Sequence, residues 1–290
     1  MEYLLHIGIM LSIYVILVLS TNLTVGMANL LTLCQAAFYG IGAYIGTFFL
    51  MQFNLPFVLI ALIVMVATGL TSILISYASV KLKGDYFILA TLGFQMVVYT
   101  ILYNWIDVTR GPYGIPGIPS IKLFGIWSLS SIYAYFILAV VVAVLVAWLF
   151  SRMQRSPYGR ILKAIRTDEL SAQSLGRNTN KLKRWAFFLS AAFAGVAGLI
   201  YASYVSYIDP TSFTLDESIF IITALFIGGI GSRVWGPIVG AVVVVLLPEL
   251  LRFVGLPDAI AANLRQVIYG LVLIVLMFVR PQGLLGDAKI

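Results

Sequence analysis

Long apolar runs divided by short polar breaks set the pattern of this chain. Residues 3–20, 56–80, 86–103, 130–150, 185–205, 237–251 and 265–280 each read as a helix crossing a bilayer. Two further apolar stretches are irregular. Residues 24–51 carry Thr24, Asn29, Thr32 and Gln35 in their first part and Gly40, Gly42 and Gly46 in their second. Small residues let helices approach closely, and interrupted helices are tolerated where they line a cavity, so packing and pathway lining both fit. Residues 218–230, with Gly228 and Gly229 near their end, reach only about 20 Å as a helix against a ~30 Å hydrocarbon core. The pattern predicts an all-α integral membrane protein, a multi-span bundle of about nine crossings with room for re-entrant or broken helices. Each half of the chain holds one interrupted segment, a pointer to a transport pathway. Pathway-lining candidates are Asn29, Thr32, Gln35, Gln95, Gly228 and Gly229.

The polar breaks are unequal. Residues 152–184 hold nine of the eighteen Lys and Arg and only two acids, Asp168 and Glu169. Short cytoplasmic loops retain Lys and Arg, so this segment is read as cytoplasmic. Pro157 and Gly159 break the preceding span, and Gly176 closes the far end of the segment. Between them a helix of about four turns is expected. Ile161, Ile165, Ala172 and Leu175 fall on one side of it, and Arg160, Lys163 and Arg166 on the other. Such a helix suits either anionic headgroups or a docking partner.

Charge elsewhere fixes the orientation. Counting nine crossings puts the N-terminus outside and the C-terminus in the cytoplasm, with Lys81, Lys83, Arg233, Arg280 and Lys289 joining the basic loop inside. Arg110, Lys122, Arg252 and Arg265 fall outside. So do the acidic segment 206–217, with Asp209, Asp216 and Glu217, and a rigid Gly/Pro-rich loop, 104–128. Glu2 stands where a signal peptide would be basic, so the first run is read as a retained span.

Composition excludes several functions. The chain of 290 residues is 61% hydrophobic and only 10% charged, whereas soluble domains carry about 25% charged residues. One transmembrane domain over 1–290 is expected, with 152–184 as its cytoplasmic loop. The net charge of +7 is explained by retention at the inner face and calls for no nucleic acid. A single cysteine, Cys34, and a single histidine, His6, leave no metal site. Glu249, near the end of its span, is the deepest acid expected, so neither a proton relay nor a hydrolytic constellation is read. There is no P-loop motif, and the driving force must come from elsewhere.

Seven ordered stretches carry a resemblance over nearly the whole length. They are TLCQAAFYGIGAY (32–44), GDYFILATLGF (84–94), RGPYGIPGIP (110–119), YGRILKAIRTDELSAQSLGRN (158–178), AFFLSAAFAGVAGLIYA (186–202), IGGIGSRVWGPIVGA (227–241) and RPQGLLG (280–286). Together they resemble the LivM-type permease subunits of bacterial ABC importers for branched-chain amino acids. The resemblance implies a non-catalytic subunit of the bacterial inner membrane forming half of a pathway. It further implies a second, LivH-like permease, two cytoplasmic ATPases that carry the ATP and Mg, and a periplasmic substrate-binding protein. This chain itself would bind no cofactor. The segment 158–178 would be the coupling helix, with Gly159, Arg160, Lys163, Ala164, Arg166, Asp168, Glu169 and Gly176 as coupling residues. An importer of urea or short amides is the alternative substrate reading. A stand-alone channel or carrier is the alternative from another class.

Overall fold

The computed structural model describes residues 2–53, 55–79, 82, 84–123, 127–128, 131–252, 267, 270–271, 274–275, 278 and 283–285. The expected last span, 265–280, and Lys81, Lys83, Arg265, Arg280 and Lys289 lie wholly or largely outside them. In chain order the helices are α1 (Glu2–Thr21), α2 (Gln35–Gln52), α3 (Phe57–Ser79), α4 (Asp85–Asn104), the single turn α5 (Ile106–Thr109), α6 (Ile132–Arg155), α7 (Pro157–Thr167), α8 (Glu169–Ser174), α9 (Thr179–Val205), α10 (Leu215–Gly228) and α11 (Trp235–Arg252). Five are long and apolar enough to cross a membrane among the described residues: α1 with its extension to Met27, α3, α4, α6 and α9.

Burial ranks them. Most of α9 is enclosed, while α3, α4 and α6 turn apolar side chains such as Leu62, Leu89 and Val144 outward, as a lipid-facing ring would. The centre closes through glycine. A Cβ on Gly42 of α2 would lie 2.2 Å from the Gly195 Cα of α9, and one on Gly198 would lie 2.1 Å from the Tyr39 carbonyl oxygen. Such separations are possible only without side chains, and they let dispersion contacts act between the two backbones. The pair α10 and α11 repeats the device at Gly228 and Gly240. The sequence's glycine clusters therefore serve packing.

Both irregular stretches are interrupted, as the pattern expects. After α1 the chain makes a π-helical turn, Asn22–Met27, then runs without regular structure through 28–34 into α2. Asn29 adopts a left-handed φ of 55° in that link. In the second stretch α10 is 14 residues long and is capped by Gly229, whose φ is 116°. Leu284 and Leu285 donate their amides to the carbonyls of Ile227 and Gly228 at 2.9 and 3.0 Å, satisfying acceptors that the helix end leaves open.

Two expected loops meet. β1 (Ile115–Pro116), in the Gly/Pro-rich segment, pairs antiparallel with β4 (Tyr207–Ile208), in the acidic segment. A second two-stranded pair sets β2 (Lys122–Leu123) antiparallel to β3 (Trp127–Ser128). Among the described residues the regular structure is thus helical apart from these two-stranded pieces.

Candidate functional site

The basic segment forms an elbow of two helices where one was expected. Pro157 begins α7: it occupies the first helical position, and the Ser156 side chain accepts the Gly159 amide at 3.3 Å. Asp168 then breaks the helix, taking an extended conformation and capping α8 through the amides of Leu170 and Ser171 at 2.9 and 3.1 Å. Bonds from the Ser171 hydroxyl and amide hold the Asp168 carboxyl below the usual carboxylate range. Gly176, at φ 76°, closes the elbow. Gly159 is buried, and a Cβ there would meet the Met153 carbonyl oxygen at 2.3 Å, so its role is to seat α7 on the end of α6.

The inner face of the elbow differs from the expected one at two places. Leu162, Ile165 and Ala172 are buried, Ile161 partly so, but Leu175 is 80% exposed because α8 ends before reaching it. Arg166, expected on the outward basic side, turns inward: its Nη1 donates to the Gly26 carbonyl oxygen at 2.6 Å. The π-helical turn is held from the other direction by Asn22. Its Nδ2 donates to the Ser232 carbonyl at 3.0 Å and its Oδ1 accepts the Gly231 amide at 3.2 Å. Elbow, π-turn and the link between α10 and α11 therefore meet at one point. Glu169 is likewise engaged, its Oε2 lying 2.7 Å from the Lys183 Nζ. Arg160, Lys163 and Ala164 remain outward and exposed, joined by Leu170 and Leu175.

The polar residues expected along the pathway are mostly internal fasteners. Gln35 donates to the Ser20 hydroxyl at 2.6 Å, and Ser190 of α9 donates to the Ser20 carbonyl at 2.7 Å. Gln95 is fully buried; it accepts the Ala37 amide at 2.7 Å and donates to the Phe213 carbonyl at 2.9 Å. Thr32 pairs with the Cys34 thiol at 3.2 Å. Asn29 lies by an open space, a cavity of about 810 Å³ shared with Asp85, Arg166, Asp168 and Glu169. Gly228 and Gly229 pack and terminate α10.

One group was misjudged from sequence. Glu217, read as part of an external loop, stands in the first turn of α10 and accepts a hydrogen bond from the Tyr14 hydroxyl at 2.7 Å. Glu249, expected to be the deepest acid, bonds Tyr3 near the start of α1 and so is shallower than Glu217 along that helix. The signal for Glu217 was weak because the helix starts three residues earlier than hydrophobicity alone suggests.

Sequence comparison with known proteins points to one family. Residues 3–277 match the family model described as branched-chain amino acid transport system / permease component. The high-affinity branched-chain amino acid transport system permease protein LivM of Salmonella typhimurium strain LT2 is 33% identical, over 96% of this chain and 69% of that protein. LivM of Escherichia coli strain K12 is also 33% identical, over 94% and 68%. The LivH permease protein of the same Salmonella strain is 24% identical over 96% of this chain and 93% of its own length. No solved structure matches.

Proposed function

The chain belongs to the family of branched-chain amino acid transport permease components, and we propose that it is the LivM-type subunit of an ATP-driven importer of such amino acids. It is a multi-pass membrane protein. In this reading the whole of 1–290 is one domain of the bacterial inner membrane, crossing it about nine times, with the N-terminus outside and the C-terminus in the cytoplasm. A LivH-like permease supplies the other half of the pathway, in keeping with the likeness to LivH. Two separate ATP-binding subunits hydrolyse ATP, and an external binding protein delivers the substrate.

The observation that carries this reading is the elbow α7–α8. Its inner face is packed against its own bundle, while Arg160, Lys163 and Ala164 stand exposed on the outer face. An interfacial helix that only met headgroups would have its apolar side free for lipid; here much of that side is already occupied. The outer face therefore suits a protein groove, with Gly159 and Gly176 setting the shape and Asp168 and Glu169 bracing it. The π-turn contact of Arg166 offers a route by which motion of the elbow reaches the helices. The β1–β4 pair fixes two external segments as one surface, which suits a receiving site for the binding protein.

The test is labelled leucine uptake by vesicles holding the full complex, with urea as competitor. Saturable, ATP-dependent uptake that urea leaves unchanged is expected. ATP-dependent uptake of urea in its place would overturn the substrate assignment.

A further inference from the structure

The carboxylate of Glu217 lies apart from the elbow, against the middle of α1. Its partner Tyr14 is about 18 Å along α1 from Glu2 and about 10 Å from Thr21, taking 1.5 Å per residue. An acid at such depth is costly to keep and marks a functional site by default. A cavity of about 710 Å³ opens beside it. Rings of Tyr14, Tyr39, Tyr201 and Phe220 line the space together with Ile219 and Thr223. Phe220 meets Tyr14 edge-on at 5.1 Å, and Tyr39 lies 5.5 Å from Tyr201. No Lys, Arg or His is among the described residues of the wall, and Asp216 adds a second carboxylate at its edge.

We propose that this cavity is a station for the α-ammonium group of an aliphatic amino acid on its way through the membrane. The proposal rests on the transport reading above and adds the residue that recognises the substrate's charge. Glu217 accepts hydrogen bonds from the ammonium while Tyr14 holds the carboxylate in place. The tyrosine faces offer cation–π attraction, and Ile219 and Phe220 take the aliphatic side chain. A carboxylate arriving here would meet two acids and, among the described residues, no base, so the site reads the amine end. One carboxylate with rings binds loosely enough to release what it holds, as a conducting site must.

The test uses the purified complex in lipid vesicles and a membrane-permeant carbodiimide, with modification of Glu217 followed by mass spectrometry. Leucine and leucinamide, which carry the ammonium, are expected to slow modification several-fold. 4-Methylpentanoate, which has the same side chain and no amine, is expected to leave it unchanged. Glu217→Gln should lower leucine uptake at least tenfold in a complex that still assembles, as judged by co-purification of its subunits. Should that variant fail to fold, protection of the native chain still decides. Leucine uptake without protection by either amine, or equal protection by 4-methylpentanoate, would overturn the site and leave the transport reading standing. Protection by leucinamide in a complex that takes up no leucine would do the reverse.

Discussion

The guanidinium of Arg166 grips the carbonyl oxygen of Gly26 at 2.6 Å, tying the cytoplasmic elbow to the π-helical turn after α1. π-Turns occur often at functional sites, and this one has Asn22 holding its other side to Gly231 and Ser232. An elbow pushed by a partner would move both helix breaks together.

Replacing Arg166 with Ala should separate docking from transport. A hydrogen bond to a charged group is worth roughly 1.5–3 kcal/mol, enough for about a tenfold or greater effect. Leucine uptake should fall by about that factor while ATP-binding subunits still co-purify, because the side chain points away from the exposed face. Loss of co-purification together with uptake would show that Arg166 belongs to the docking surface after all.

The α2–α9 contact should be intolerant of any side chain. Gly42→Ala places a Cβ against the Gly195 backbone, and overpacking of this kind costs typically 1–3 kcal/mol. The apparent melting temperature in detergent should drop. Gly93→Ala in α4, where a Cβ meets nothing within 4 Å, should leave it unchanged or raise it. Equal melting points for the two variants would count against glycine-mediated closure.

The cap on α8 has a definite pH dependence. Hydrogen bonds lower the Asp168 pKa in the folded state, so the stabilisation is fully present above the unfolded value of about 3.9. It is lost as pH falls through the lower, folded value. Amide exchange at Leu170 and Ser171, corrected for intrinsic rate, should be steady from neutrality to about pH 4 and accelerate below it. Asp168→Asn should remove that acid-side transition, and its persistence in the variant would refute the assignment.

A joint external surface should present itself to the binding protein. Photo-cross-linkers at Tyr113 and at Thr211, both exposed beside the β1–β4 pair, should each capture it. Capture by the second permease alone would remove these segments from the footprint.

Much of the architecture was legible because lipid imposes a simple rule, that backbone polar groups bond within a helix. The run 86–103 reappears as α4 with one more residue at each end, and 185–205 as α9, which begins six residues earlier, within the basic segment. The two interrupted stretches were legible too, since polar residues and glycine sit where the helices break. What sequence could not give was direction. A 100° projection assumes one continuous helix, and Asp168, by capping a new one, rotated Leu175 into the open. Arg166 looked outward on that wheel, but its partner is a backbone carbonyl 140 residues away, which no local pattern encodes. Gln35 and Gln95 stood as pathway-lining candidates, and each spends its amide on fastening helices. Glu217 was hidden by its place at the edge of an apolar run.

The central claim, that the elbow transmits ATP-driven motion, is tested most directly at Ala164. This residue is exposed on the outer face between Lys163 and the buried Ile165, so a charge there should not disturb the fold. The measurement is co-purification of the ATP-binding subunits with Ala164→Glu, together with substrate-stimulated ATP hydrolysis. The account expects the variant to insert normally, to lose most of the associated ATPase and to lose stimulation by substrate, with Lys163→Glu showing a milder, salt-dependent form of the same defect. Normal association and normal stimulation in Ala164→Glu would contradict it and leave the elbow as a helix resting on headgroups.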